Sequence, residues 1–291
     1  MHAVGLVLHP RRNSEAAVTA VLDWASNRGT EILGIGNEIE RLNCAATAVT
    51  AAELARRSDL VVSLGGDGTM LRAMRLADGQ DAPVLGVNLG KLGFLAEIDV
   101  PDLPGALSAI DGHEFRIEPR LAVDAVLAGR TVTAFNDVAV VRVPGDGTAA
   151  VAVCVSGQPF VSYAADAVIV ATPTGSTAYS FSAGGPITSP AVEALLVTPA
   201  APHSAYSRGV VLSVHDELTL DILPSSGRLA VEVDGEVAGY VEPGDRIELR
   251  ARPGAARVIR LGMTTFYQRA RRKLRLTDSA ELPPSWPDPS S

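Results

Sequence analysis

Short apolar runs alternate with helical periodicities through the first hundred residues. Ala3–Leu8 is unbroken and of strand length. Ser14 can cap a helix running to Ala25, with Val18, Val21, Leu22 and Ala25 on one face and Gly29 at its end. Glu31–Ile35 reads as a second strand. Thr50-Ala51-Ala52-Glu53 has the spacing of a capping box and opens a helix to Arg57. Residues 60–64 form a third strand, 70–76 a helix of good formers, and 83–87 a fourth strand. This alternation predicts a parallel, doubly wound sheet, whose ligands bind at the carboxyl ends of its strands.

The pattern changes after about residue 92. One more helix is expected at 101–110. Short β-branched runs then alternate with turn signals, at 121–127, 131–135, 138–143, 149–155, 160–163 and 168–171. They resume at 218–223, 229–233, 237–241, 246–251 and 257–261. Many short strands at this spacing predict a β-sandwich-like second domain. Residues 277–291, with Pro283, Pro284, Pro287 and Pro289, read as a loose tail.

Composition narrows the chemistry. With 291 residues, 47% of them hydrophobic, the chain can bury a large core. Its net charge of −8 argues against a nucleic-acid binder. An anionic ligand must therefore be drawn in by local charge and backbone dipoles. Cys44 and Cys154 lack metal or redox spacing, and the five histidines are scattered. No apolar run is long enough for a membrane span, so a cytoplasmic location is expected.

Two stretches carry candidate chemistry. Gly65-Gly66-Asp67-Gly68-Thr69 falls on a strand-to-helix turn, where unpaired N–H groups point outward. Glycines let backbone approach a phosphate, and the helix start adds favourable partial charge. Asp67 is the odd member, because a carboxylate among phosphate-cradling amides costs electrostatic energy. It could accept a proton from an attacking hydroxyl, or hold a metal on the phosphates. An ordinary Gly/Asp turn would carry the same letters.

The second stretch is 171–186, which packs hydroxyls, glycines and Tyr179 behind a strand. It suits a polar, anionic or sugar-bearing ligand. A flat ring stacked on Tyr179 would contribute roughly 1–3 kcal/mol. The plainer alternative is a well-capped helix start with Tyr179 in the core. The G-x-S-x-G spacing of a serine nucleophile is absent. Asp166 could accept hydrogen bonds from an amide or hydroxyl, or only cap a strand end; Asn136-Asp137, between two strands, could clasp ribose hydroxyls or base amino groups, or form only a turn or bulge.

Together these pieces resemble the NAD kinase family, ATP-dependent enzymes that phosphorylate NAD to NADP. The resemblance spans about 60–274. It rests on Gly65–Thr69, the run from Val87-Asn88-Leu89-Gly90-Lys91 to Ala96, Phe135-Asn136-Asp137-Val138, residues 172–186, Val233-Asp234-Gly235-Glu236, Phe266 and 269–274. The family likeness implies a Rossmann-like, phosphofructokinase-like α/β N-terminal domain and an all-β, sandwich-like C-terminal domain. It implies Asp67 as base toward the adenosine 2′-hydroxyl of NAD, with Gly66, Gly68 and Arg72 as further contacts. Asn136, Asp137 and Asp166 would contact the dinucleotide, and Thr177, Ala178, Tyr179 and Ser182 would line the nucleoside pocket. ATP or polyphosphate would be the donor, with Mg²⁺ or another divalent cation. No residue is assigned as a metal ligand. A homodimer or homotetramer is implied, with no nucleic-acid or membrane partner.

The chain departs from the family pattern in places. Asp137 stands where glutamate is common, Ala167 follows Asp166 where glycine is usual, and loop 143–147 lacks a basic residue. Glu236 replaces a common glutamine, and Gly209 a proline near His203 and Arg208. Lys91 or Arg72 could add positive charge to the phosphate site. The expected division is 1–100, then 101–261, with 262–276 returning to the first domain. The basic run 269–275 is assigned a structural or subunit-contact role. Competing readings are a diacylglycerol-type lipid kinase, which would need an apolar acceptor groove, and a catalytically idle dinucleotide sensor.

Overall fold

Six buried residues in a row, Ala3–Leu8, form β1, the middle strand of a parallel sheet. The computed structural model describes residues 1–276 apart from Asn43, Lys91, Leu92, Ser204 and Ala205. The expected tail at 277–291 and the cation expected at Lys91 lie outside the described residues. After β1 come α1 (Glu15–Ser26), β2 (Glu31–Ile35), α2 (Gly36–Glu40), β3 (Thr47–Val49), α3 (Ala51–Arg57) and β4 (Leu60–Gly65). Next are α4 (Asp67–Ala77), β5 (Val84–Asn88), β6 (Ile98–Asp99) and α5 (Leu103–Asp111). The order is β5-β4-β1-β2-β3, all parallel, with β6 beside β5. The capping box at Thr50 and Glu53 closes in both directions. Val18, Val21 and Trp24 of α1 and Leu103 and Leu107 of α5 bury against Leu6, Val62 and Leu85.

This order places the site. The chain winds outward from β1 to β3, then re-enters at β4 on the other side of β1. The carboxyl ends of β1 and β4 therefore flank the topological switch point, where open α/β sheets bind ligands. The two ends are tied by His9 N–H donating to the Leu64 carbonyl at 2.9 Å.

The next strands are β7 (Arg116–Leu127), β8 (Arg130–Ala134), β9 (Asp137–Arg142), β10 (Ala149–Val155), β11 (Gln158–Ala165) and β12 (Ala167–Ala171). The short helix α6 (Tyr179–Ser182) leads to β13 (Ala194–Ala200), β14 (Val210–Ser213), β15 (Leu218–Ile222), β16 (Leu229–Val233), β17 (Glu236–Val241) and β18 (Arg246–Arg260). One antiparallel layer has the order β14-β13-β12-β9-β16-β17. The other runs β11-β10-β15-β18, with β7 on β18 and β8 on β7. Both layers send alternate side chains into one core, including Val138, Val140, Val168 and Val170 from the first and Val151, Val153, Leu220 and Ile247 from the second. This is the sandwich that the strand spacing predicts.

Contacts divide the chain into a unit of Met1–Glu118 with the chain from Ala256 onward, and a unit of Pro119–Ala255. The helix α7 (Phe266–Leu274) lies in the first of these. The two runs expected at 246–251 and 257–261 are one strand, β18. Pro253 and Gly254, the latter at φ +68°, sit inside it rather than ending it. They fall between the stretch paired with β15 and Val258, which pairs with Val84 of β5, so Pro253 lies outside both registers.

Candidate active site

Gly65 ends β4 because only glycine fits there: a Cβ would lie 2.1 Å from Thr69 Oγ1. Gly66 and Gly68 differ, since a Cβ on either would meet nothing within 4 Å. The fold does not need these two glycines for space. They leave the first-turn amides of α4 approachable from solvent, as a phosphate requires.

Asp67 opens α4, and its carboxylate is seated on the chain of the following loop. Leu95 N–H donates to Oδ1 at 3.1 Å and Phe94 N–H to Oδ2 at 3.1 Å. Lys273 Nζ donates to Oδ2 at 2.9 Å. Gly93 makes the seat possible, since a Cβ there would lie 2.2 Å from Oδ1. Lys273 belongs to the basic run expected to serve a structural or subunit contact, and its contact to Asp67 is not among the sequence expectations. The i, i+4 spacing of Arg269 and Lys273, which puts both on one helix face, was the available signal.

Across the switch point stands a cationic collar. Arg72 pairs with Glu38 at 2.5 Å and donates to the Leu8 carbonyl at 2.6 Å. Arg41 donates to the His9 carbonyl at 2.8 Å and to that of Pro10. The amides of Arg11 and Arg12 both donate to His9 Nδ1 at 3.0 Å, so this nitrogen is an unprotonated acceptor. Burial and then Arg12, Arg41, Arg72 and Arg11 lower the His9 pKa, keeping it neutral. Four arginines thus surround the carboxyl end of β1 in a chain whose net charge is −8. Arg72 sits in this collar, its guanidinium held by Glu38 and Leu8.

The second unit gathers acceptors instead. Asp137 opens β9, paired with Ala171 at the end of β12, and Val138 pairs with Val233 at the end of β16. Those three strand ends bring Asn136-Asp137, the 172–182 segment and the Asp234-Gly235 turn together. Asp234, at φ +49°, accepts the amides of Phe135, Asn136 and Asp137 at 3.2, 2.7 and 3.3 Å. Its contact fixes Asn136, a role that its place in the Val233–Glu236 stretch does not reveal.

The hydroxyls sort into two groups. Thr172, Ser176 and Ser180 are fully buried and hold the fold: Thr172 Oγ1 donates to the Phe135 carbonyl at 2.5 Å, and Ser180 bonds Thr198 at 3.0 Å. Thr177, Ala178 and Tyr179 are partly exposed, and Ser182 is exposed. The residues expected to line the pocket are therefore the accessible ones. Tyr179 packs against the small apolar cluster that includes Ile169 and Leu196, and its amide donates to the Asp137 carboxylate. Asp166 lies at the far end of β12 from Thr172, yet it is near enough to the Tyr179 phenol to act on it. It precedes β12 while Thr172 follows it, a span of about 20 Å along an extended strand. There Asp166 pairs with Arg142 at 2.5 Å. Burial, then Glu232, Asp166 and Asp137, raise the pKa of the Tyr179 phenol.

Burial, then Asp234 and Glu232, push the Asp137 pKa up to about 7 from an ordinary 3.8. The unfolded chain releases this proton near pH 4, whereas the folded chain keeps it to about pH 7. Stability then falls as pH rises through that window, by on the order of 2–4 kcal/mol in all. Asp137→Asn removes the titrating group. Chemical denaturation is expected to show the variant gaining on the parent by that amount between pH 3.5 and pH 8. Parallel curves would contradict the assignment.

With this geometry in view, likeness to known proteins takes on meaning. Residues 4–115 match the ATP-NAD kinase N-terminal domain and residues 135–261 the ATP-NAD kinase C-terminal domain. NAD kinase 1 of Streptomyces avermitilis is 37% identical over 98% of this chain and 92% of its own. The fold matches that of a yeast NADH kinase complexed with NADH at a TM-score of 0.83 and 24% identity, covering 97% of this chain and 89% of that one. It also matches an Archaeoglobus fulgidus NAD kinase in complex with ATP at a TM-score of 0.74 and 24% identity, covering 94% and 99%. Two domain matches in order and a relative alike over nearly its full length make this chain a member of the ATP-NAD kinase family.

Proposed function

We propose that the chain transfers the γ-phosphoryl group of ATP to the adenosine 2′-hydroxyl of NAD, giving NADP. The observation that carries this reading is a division of chemistry. The first unit offers helix amides and arginines, which suit phosphates. The second offers Glu232, Asp166 and Asp137 around Tyr179, with Asn136 next to Asp137, which suit a ligand rich in hydroxyl and amide donors and flat rings. A lipid acceptor would want an apolar groove there instead.

Catalysis of this transfer rests on positioning and on neutralising charge. Asp67 orients the hydroxyl and takes its proton as the new P–O bond forms and the bond from the γ-phosphorus to the β,γ-bridging oxygen breaks, releasing ADP. The amides over Gly66 and Gly68, with the arginine collar, hold the donor's phosphates. Among the described residues no group of three His, Cys, Asp or Glu could cage a metal. Mg²⁺ rides largely on phosphate oxygens and water, so we write it as part of the donor, Mg–ATP. A cytoplasmic location and a homodimer or homotetramer belong to the same reading, supported by the family likeness alone. Among the described residues no helix is long and apolar enough to cross a membrane.

Tyr179→Ala tests the dinucleotide site. Titration calorimetry is expected to give an NAD dissociation constant raised about 5- to 100-fold, matching the loss of one stacked ring. An unchanged constant would remove Tyr179 from the site.

A further inference from the structure

We infer that Lys273 is a positioning residue that decides which oxygen of Asp67 receives the proton. The inference rests on Asp67 acting as the base. A carboxylate oxygen has two in-plane lone pairs. Oδ2 accepts two donors, Phe94 N–H at 3.1 Å and the Lys273 ammonium at 2.9 Å. Among the described residues Oδ1 accepts Leu95 N–H alone, at 3.1 Å, which leaves it the less occupied oxygen for an incoming hydroxyl. The lysine thereby turns a symmetric acceptor into a one-sided one.

The ammonium is itself held on several sides. Thr265 and Gln268 close a capping box that starts α7. One turn on, Arg269 is buried and bonds Glu97 at 3.2 Å, and Glu97 also bonds Arg260 at 2.9 Å and the Leu261 amide. Lys273 follows Arg269 by four residues on the same helix face. Its ammonium lies 4.5 Å from the centre of the Phe94 ring, and Phe94 also supplies an amide to Asp67. Lysine, ring and carboxylate close a small circuit that fixes the tilt of the carboxylate. The positive charge also offsets that of Asp67, so a polyanionic donor can approach it.

The test uses the full-length chain with NAD and Mg–ATP. Lys273→Ala is expected to lower kcat about 10- to 100-fold while both KM values stay within about threefold. A small loss of stability is expected, because exposed ion pairs contribute little. Ethylammonium should restore kcat at least about fivefold, whereas tetramethylammonium, which has no N–H to donate, should not. Arg272→Ala, a neighbouring charge that does not touch Asp67, should leave kcat unchanged. The inference is overturned if Lys273→Ala keeps the parent kcat, if its loss falls on KM for ATP, or if ethylammonium restores nothing. If the parent chain makes no NADP, the reading of the activity falls first, and a parent that does make it isolates the claim about Lys273.

Discussion

Asp67→Asn is expected to bind NAD as the parent does and to lose about 10²- to 10⁴-fold in kcat, the usual worth of a general base. The groups proposed to hold the dinucleotide in the second unit are untouched. The amide cannot accept the hydroxyl proton. It also fits the seat badly, because its NH₂ would face either Leu95 N–H or the donors Phe94 N–H and Lys273. Steady-state kinetics beside NAD titration separates the two effects. Turnover within tenfold of the parent would remove Asp67 from the chemistry.

Gly93→Ala is expected to damage activity nearly as much with no change at the base itself. The added methyl would lie 2.2 Å from Asp67 Oδ1 and 2.9 Å from Cγ, so the carboxylate must leave its amides. What it meets is the far end of a side chain, so the fold can give way cheaply. The expected result is a kcat loss of about 100-fold, near the low end for a general base, with a melting temperature within a few degrees of the parent. Gly175 shows the contrast. A methyl there would lie 2.0 Å from the Asn136 carbonyl oxygen, and backbone cannot step aside. Full activity in Gly93→Ala would show that the seat on Phe94 and Leu95 is not the working position of Asp67.

Much of the architecture was legible where burial imposes a pattern. Ala3–Leu8 and 60–64 read as strands because both faces of a parallel sheet are covered, leaving unbroken apolar runs. Thr47–Val49 escaped because it is an exposed edge strand with no apolar run to mark it. Ala194–Ala200 escaped because Pro199 interrupts its pattern. Its register with β14 ends at Val197, so the missing N–H of Pro199 costs that ladder nothing. At the candidate site, Asp67 and Tyr179 were legible because their neighbours are compositionally unusual. Lys273 and Asp234 were not, since each acts through a partner more than ninety residues away. The arginine collar was not either, because it forms only once β1 and β4 are known to be neighbours.

The most direct measurement is ³¹P NMR of the product made by the purified chain from NAD, ATP and Mg²⁺. The account predicts ADP and a dinucleotide carrying one new monophosphate on the adenosine 2′-oxygen, accepted by an NADP-specific dehydrogenase. Hydrolysis of ATP without that resonance, or a phosphate placed on any other hydroxyl, would contradict it.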